Sequence, residues 1–256
     1  MNRNENTPRD ASSAEMTAEA ELAPALYLLP CPLAEGDVSR SLPEYNLRVI
    51  RRLRHFVVEN LRSARRFLKR CDRSIDIDAC TFVELSEHTR AEEVEAMIEP
   101  LASGRYPIGV ISEAGCPAVA DPGADLVAVA QRRGLRVEPL VGPSSILLSL
   151  MASGFNGQSF AFRGYLPVDA AARSAVLKRM QHLIASERQT QIFIETPYRN
   201  KRLLDELART LPPAMKLCVA VDLTGPAQNI VTDTIAGWRR RNFDPGKIPA
   251  IYLLSD

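Results

Sequence analysis

Residues 108 to 140 constrain the fold more tightly than any other stretch of this 256-residue chain. Ile108-Gly109-Val110-Ile111 is an apolar run of strand length, followed by a loop rich in proline and small residues, Ser112 to Gly123. Asp121-Pro122 reads as a helix start: a capping carboxylate, then proline at the first helical position. Leu126, Val127, Val129 and Ala130 carry the helix, and Gly134 closes it in the C′ position. Leu135 to Leu140 is the next strand. Strand, helix and strand in this order form a β-α-β unit. Its strands run parallel and its crossover is right-handed, which commits the chain to an open sheet covered by helices.

The flanking segments follow the same logic. Ala25 to Leu29 is a first strand, stopped by Pro30-Cys31-Pro32, which cannot continue a central ladder. Glu44 to Leu53 places Leu47, Ile50 and Leu53 at helical spacing. His55 to Val58 is a short strand, and Leu61 to Arg70 a helix with Ala64, Phe67 and Leu68 on one side. Gly142-Pro143-Ser144-Ser145 opens an apolar helix, Ile146 to Ala152, closed by Gly154. Ser159 to Tyr165 starts a second half, with a charged helix over about 169–187, a strand Gln191 to Glu195 and a helix to about 210. Lys216 to Val221, Gln228 to Thr232 and Ala250 to Leu254 are further strands. The first two flank Gly225-Pro226 and predict a hairpin. The expected fold class is α/β: two α/β domains, 24–141 and 142–256, with a mostly parallel sheet in the first and a mixed sheet in the second. Residues 1–23, polar with little to bury, predict a disordered tail.

Composition narrows the function. Net charge is +1, so the overall field draws the chain to neither nucleic acid nor membrane. No apolar run approaches the roughly 20 residues of a membrane span, and Met1 to Glu21 has no apolar leader core, so a cytoplasmic protein is expected. Five cysteines at irregular spacing, with no C-x-x-C pair, predict reduced thiols. His55, His88 and His182 lack metal-ligand spacing, and no metal is expected. There is no G-x-G-x-x-G, Walker A or G-x-S-x-G motif.

Ligands of open α/β sheets gather beyond the carboxyl ends of parallel strands. Two such ends are visible, the Ser112–Asp121 loop and Val141 to Ser144. Gly115 allows close backbone approach, Pro117 and Pro143 stiffen the loops, and Ser144 and Ser145 stand at a helix start whose free N–H groups suit a carboxylate. Each loop alone is equally a short turn with capping residues.

At these loops the sequence resembles the tetrapyrrole methylase family, most closely its branch that methylates a ribose 2′-hydroxyl in small-subunit ribosomal RNA. The likeness rests on Ser112-Glu113-Ala114-Gly115-Cys116-Pro117 with Asp121-Pro122-Gly123, then Gly142-Pro143-Ser144, Ala152-Ser153-Gly154-Phe155, Phe162-Arg163-Gly164-Tyr165-Leu166-Pro167 and Glu195-Thr196-Pro197-Tyr198-Arg199, all in the family's order. The resemblance implies a homodimer of two-domain subunits, with S-adenosyl-L-methionine in the cleft between the domains. It assigns cofactor binding to Ser112, Ala114, Gly115, Pro117, Val119, Pro143, Ser144, Ser145, Leu166, Thr224 and Pro249. Two segments depart from the branch's pattern: Pro32 to Val38 lacks its Gly-Asn, and Glu59-Asn60-Leu61-Arg62 replaces its acidic E-D-T-R. Both are expected on the acceptor side.

A hydroxyl acceptor calls for a base. The candidates are Glu59, Glu87 and His88 in the first domain and Glu195 in the second, each equally readable as a surface charge or cap. Between Arg48 and Arg73 lie Arg51, Arg52, Arg54, Arg62, Arg65, Arg66, Lys69 and Arg70, a stripe that suits RNA phosphates or two solvated helix faces. Three functions stay open: an RNA methyltransferase, a methyltransferase of a tetrapyrrole-like small molecule, and a non-catalytic module that binds S-adenosylmethionine.

Overall fold

The computed structural model describes residues 22–86 and 88–256. The tail expected over residues 1–23 therefore lies, but for its last two residues, outside the described residues, as does Glu87.

The first domain is built on β1 (Leu26–Leu29), β2 (His55–Val58), β3 (Thr81–Glu84), β4 (Ile108–Ile111) and β5 (Val137–Pro139), in the order β3-β2-β4-β1-β5. Every pairing is parallel. Helices α1 (Glu44–Arg52) and α2 (Leu61–Cys71) cover one face, where Leu47, Ile50, Phe67 and Leu68 pack on Leu29, Phe56 and Val58. Helices α3 (Ala91–Ala102) and α4 (Ala124–Arg132) cover the other, with Ile98, Leu126 and Val129 on Leu26, Val57, Ile108 and Val110. Successive strand residues point to opposite faces, and both faces are covered, so the inner strands read as unbroken apolar runs. Pro139 is tolerated because β5 is an edge strand.

The expected helix start at Asp121 is not where α4 begins. The helix starts at Ala124, its N-cap is Gly123 at φ 123°, and no side chain caps it. The cause lies upstream, where Ala118 and Ala120 join Gly123 at positive φ and keep the segment out of helical geometry. β3 and α3 are elements that the sequence reading does not contain. β3 is a mostly exposed edge strand, and α3 carries an internal proline, Pro100.

The second domain opens with α5 (Ser145–Ser153), followed by β6 (Phe160–Tyr165), α6 (Ala170–Glu187), β7 (Thr190–Glu195), α7 (Asn200–Thr210), β8 (Lys216–Val221), β9 (Asn229–Thr234), α8 (Ile235–Trp238) and β10 (Ala250–Ser255). The sheet order is β6-β7-β10-β8-β9. Only β6 and β7 pair in parallel, and β8 with β9 is the predicted hairpin. The period of two is plain in β10: Tyr252 and Leu254 pack under α6 and α7, while Ile251 and Leu253 pack under α5. Leu33, from the loop after β1, packs against this second layer and couples the two domains. All five cysteines are free thiols. Among the described residues, no helix is long and apolar enough to cross a membrane.

Candidate functional site

A cleft of about 540 Å³ opens between the carboxyl ends of the first sheet and the α5 side of the second. The first domain contributes Leu33, Ala34 and Glu35 from the loop after β1, and Ala114, Gly115, Cys116, Val119, Ala120 and Asp121 from the loop after β4. The second contributes Ser144, Ser145 and Ile146 at the start of α5, Phe162 and Tyr165 of β6, Glu195, Asp222, Leu223, Pro249 and Ala250.

Short backbone ties hold these walls. Cys31 and Gly115 form an isolated bridge, with N–H···O distances of 2.8 and 3.0 Å, that pins the β4 loop to the exit of β1. Gly115 holds φ 75°, a left-handed conformation suited to glycine. Asn46, buried in α1, donates from Nδ2 to the Val141 carbonyl at 2.7 Å and fixes the chain just before the Gly142-Pro143-Ser144 turn. At Gly142 a Cβ would stand 2.1 Å from Pro30 Cβ, so only glycine lets this turn pass. Buried Asn200 donates to the Ile248 carbonyl at 2.7 Å and accepts from Tyr252 Oη, which seats Pro249 at the rim. Ser144 is the N-cap of α5, yet its side chain makes no capping bond, so the first-turn amides face the cleft without a side-chain partner.

Of the expected cofactor residues, Ala114, Gly115, Val119, Ser144, Ser145 and Pro249 meet in this cleft. Pro117 and Pro143 stay behind the surface, the latter accepting from Cys116 Sγ at 3.5 Å. Leu166 is buried in the α6–α7 layer, and its neighbours Phe162 and Tyr165 line the cleft instead. Thr224 holds φ 68° and donates from N–H to Gln228 Oε1, while adjacent Asp222 and Leu223 form the wall. Ser112 is 5% exposed, and its hydroxyl has no hydrogen-bond partner among the described residues.

A second, more open hollow of about 870 Å³ adjoins the first and shares Ala120 and Asp121 with it. Glu59, Asn60, Ser86, His88, Glu113 and Asp125 line it, so two of the expected bases stand here together. Glu59 Oε2 accepts from the Glu113 N–H at 3.1 Å, and the His88 N–H donates to Ser86 Oγ at 3.3 Å. Glu195 lines the first cleft, but its Oε1 already accepts from Thr196 N–H and from Arg199. Asp121 was read from sequence as a cap at the end of the ligand-facing loop, not as a base. Burial, then the facing charges of Glu59 and Glu113, push its carboxyl up to about 6. Asn60 continues from the hollow into a shallow depression with Arg62 and Arg65.

The basic stripe is partly spent on structure. Arg51 pairs with Glu44 and Asp72, Arg70 with Glu35, and Lys69 donates to the Arg73 and Ile75 carbonyls. Arg62, Arg65 and Arg66 share the exposed face of α2 and form no ion pair among the described residues; Arg65 lies over the Phe82 ring.

A parallel sheet joined to a mixed sheet, with a ligand cleft between them, is the architecture of two-domain α/β methyltransferases. The fold matches that of the methyltransferase CobJ, with a TM-score of 0.59 at 15% identity, over 91% of this chain and 94% of that one. It also matches the native form of uroporphyrin III C-methyl transferase from Thermus thermophilus, with a TM-score of 0.51 at 18% identity, over 91% and 92%. The model of the tetrapyrrole (corrin/porphyrin) methylases matches residues 41–237. Ribosomal RNA small subunit methyltransferase I of Vibrio cholerae is 31% identical over 209 residues, 81% of this chain and 68% of that protein. The Pseudomonas aeruginosa protein of the same name is 33% identical over 186 residues, 73% of this chain and 60% of its own length. The chain belongs to the tetrapyrrole methylase family of methyltransferases.

Proposed function

We propose that this chain methylates a ribose 2′-hydroxyl of small-subunit ribosomal RNA, as a cytoplasmic enzyme of two domains divided near residue 141. One observation carries the reading. Shared wall residues lead without a break from the first cleft, through Ala120 and Asp121, into the open hollow, and through Asn60 to Arg62 and Arg65 of α2. A small donor fits the first cleft, and a polyanionic backbone fits the basic end.

The first cleft fits S-adenosylmethionine by size and chemistry. Its volume lies within the roughly 300–1,000 Å³ usual for small-molecule sites. Ala114, Gly115, Ala220 and Ala250 leave room for a planar ring beside backbone. The first turn of α5 at Ser144 and Ser145 would hold a carboxylate, and Glu195 and Asp222 would face positive charge. When bound, the donor supplies a methyl group on a sulfonium, and the protein's task is to align the acceptor and exclude water. Four carboxylates, from Glu59, Glu113, Asp121 and Asp125, stand in the acceptor hollow. They would repel tetrapyrrole carboxylates and RNA phosphates alike, so the RNA reading rests on Arg62 and Arg65, which offer phosphates a basic place beside the hollow.

The chain also pairs with a second copy in this reading. Val141, Leu147 and Met151 are 73%, 51% and 79% exposed, and the last two lie one turn apart on α5, the helix that holds the donor. Incubation with methyl-labelled S-adenosylmethionine and unmodified small-subunit RNA tests the activity. Label in an alkali-resistant dinucleotide marks 2′-O-methylation, whereas label only in a tetrapyrrole acceptor overturns the reading.

A further inference from the structure

The acceptor hydroxyl must meet the donor's methyl group where the two cavities join, so the base that takes its proton stands at that junction. Ala120 and Asp121 are the residues that line both cavities, and of the two only Asp121 can take up a proton. We infer that Asp121 is the catalytic base, the group that removes the proton from the acceptor hydroxyl as the methyl group arrives. This rests on the RNA reading above.

The other carboxylates nearby each have one oxygen engaged in holding a loop. Glu59 accepts from the Glu113 N–H, Glu113 Oε2 accepts from Ser63 Oγ at 3.1 Å, and Glu195 is clamped by Arg199. His88 and Asp125 line the open hollow and do not reach the donor cleft. Asp121 caps no helix, since α4 begins at Ala124 without a side-chain cap. The Ser112 hydroxyl beside it is buried and otherwise unpartnered, so it is placed to donate to the ionised carboxylate and orient it. Ala118 and Ala120, just before Asp121 in the chain, hold left-handed backbone, strain of the kind that structures keep at working sites.

The proton balance is simple. The acceptor O–H breaks and its proton passes to an Asp121 carboxylate oxygen. The acceptor oxygen bonds the methyl carbon, and the electron pair of the broken carbon–sulfur bond stays on sulfur, cancelling its positive charge. Asp121 then returns the proton to water through the open hollow. Desolvation, Glu59 and Glu113 hold the carboxyl near 6, high enough to accept a proton and low enough to be ionised at neutral pH. Among the described residues, His88, Asp125 and the Cys31 and Cys116 thiols are the other titratable groups near it.

The test compares wild type, Asp121→Asn and Asp121→Glu on unmodified small-subunit RNA, with S-adenosylhomocysteine and RNA affinities measured separately. Asp121→Asn is expected to lower kcat by about 10²–10⁴-fold, with both affinities within about threefold of wild type. Asp121→Glu is expected to restore part of the rate. Wild-type kcat should rise with pH through an apparent pKa near 6, a limb absent from the residual Asp121→Asn rate. A carboxyl-carbon NMR titration should lose its signal near 6 in the same variant. Transfer by wild type with more than a tenth of kcat kept in Asp121→Asn overturns the base and leaves the RNA reading standing. Absence of transfer to RNA by wild type overturns the RNA reading, and the base falls with it.

Discussion

Asp121→Asn should make the protein more stable. The Asp121 carboxyl is raised from 3.8 to about 6, first by burial, then by Glu59 and Glu113. The folded state therefore binds this proton more tightly than the unfolded state. Above pH 6 the ionised side chain carries its full penalty in the fold. The penalty shrinks as pH falls through 6 and is gone below the unfolded value of 3.8. A shift of this size would be worth ~3 kcal/mol at full burial. The group is half exposed, and solvent screening reduces that to ~1 kcal/mol. Asparagine has the same shape without the charge, so the variant recovers this amount at neutral pH. For a chain of this length that is a rise in Tm of roughly 2–4 °C. Urea and thermal unfolding of both proteins at pH 7.5 and pH 4 would measure it. The gain should be present at pH 7.5 and nearly absent at pH 4. Equal or lower stability at pH 7.5, or a gain that persists in acid, refutes the electrostatic account. Lost activity together with gained stability would mark Asp121 as a residue held against the interest of the fold.

Replacing Arg62, Arg65 and Arg66 together by Ala should weaken RNA binding and reduce the slope of log affinity against log salt by about 2–3; unchanged binding and slope in filter-binding titrations would remove α2 from the RNA site. Gly142→Ala drives a Cβ to 2.1 Å from Pro30, and both are held in tight backbone, so the Pro143–Ser145 turn must shift. Affinity for S-adenosylhomocysteine by calorimetry should fall by at least about tenfold, and wild-type affinity would show that the turn does not hold the donor. Met151→Asp puts a charge in the exposed α5 face, and light scattering should then report a monomer where wild type is a dimer. Two wild-type monomers, or a dimer that survives the substitution, would refute this face as the contact.

The donor side was legible in the sequence because its signals are local. Gly115 and Gly142 each sit where backbone demands glycine, and Ser144 follows a proline at a helix start. Such residues announce a turn whatever surrounds them, and the β-α-β rule brings the two turns to one end of the sheet. Leu166 misled by its neighbourhood. Its segment does reach the cleft, but the alternation of β6 and the turn after it send Leu166 into the α6–α7 layer. Phe162 and Tyr165 stand in the same family-like segment, but only Leu166 of it was assigned to the cofactor.

The acceptor side was largely illegible because its walls come from distant segments. Glu59, His88, Glu113 and Asp125 follow β2, β3, β4 and the start of α4, and only the strand order β3-β2-β4 gathers them. One of those strands, β3, is so exposed that it lacks an apolar run to announce it. Asp121 shows the difficulty at a single residue. An aspartate before proline is the ordinary mark of a helix start, and even at the end of a ligand-facing loop that reading gave the carboxylate a structural task. Only the positive φ values at Ala118, Ala120 and Gly123, which delay the helix to Ala124, free the carboxylate to stand between the two cavities. The loop read as a wall of the donor cleft thus also carries the residue inferred to be the base.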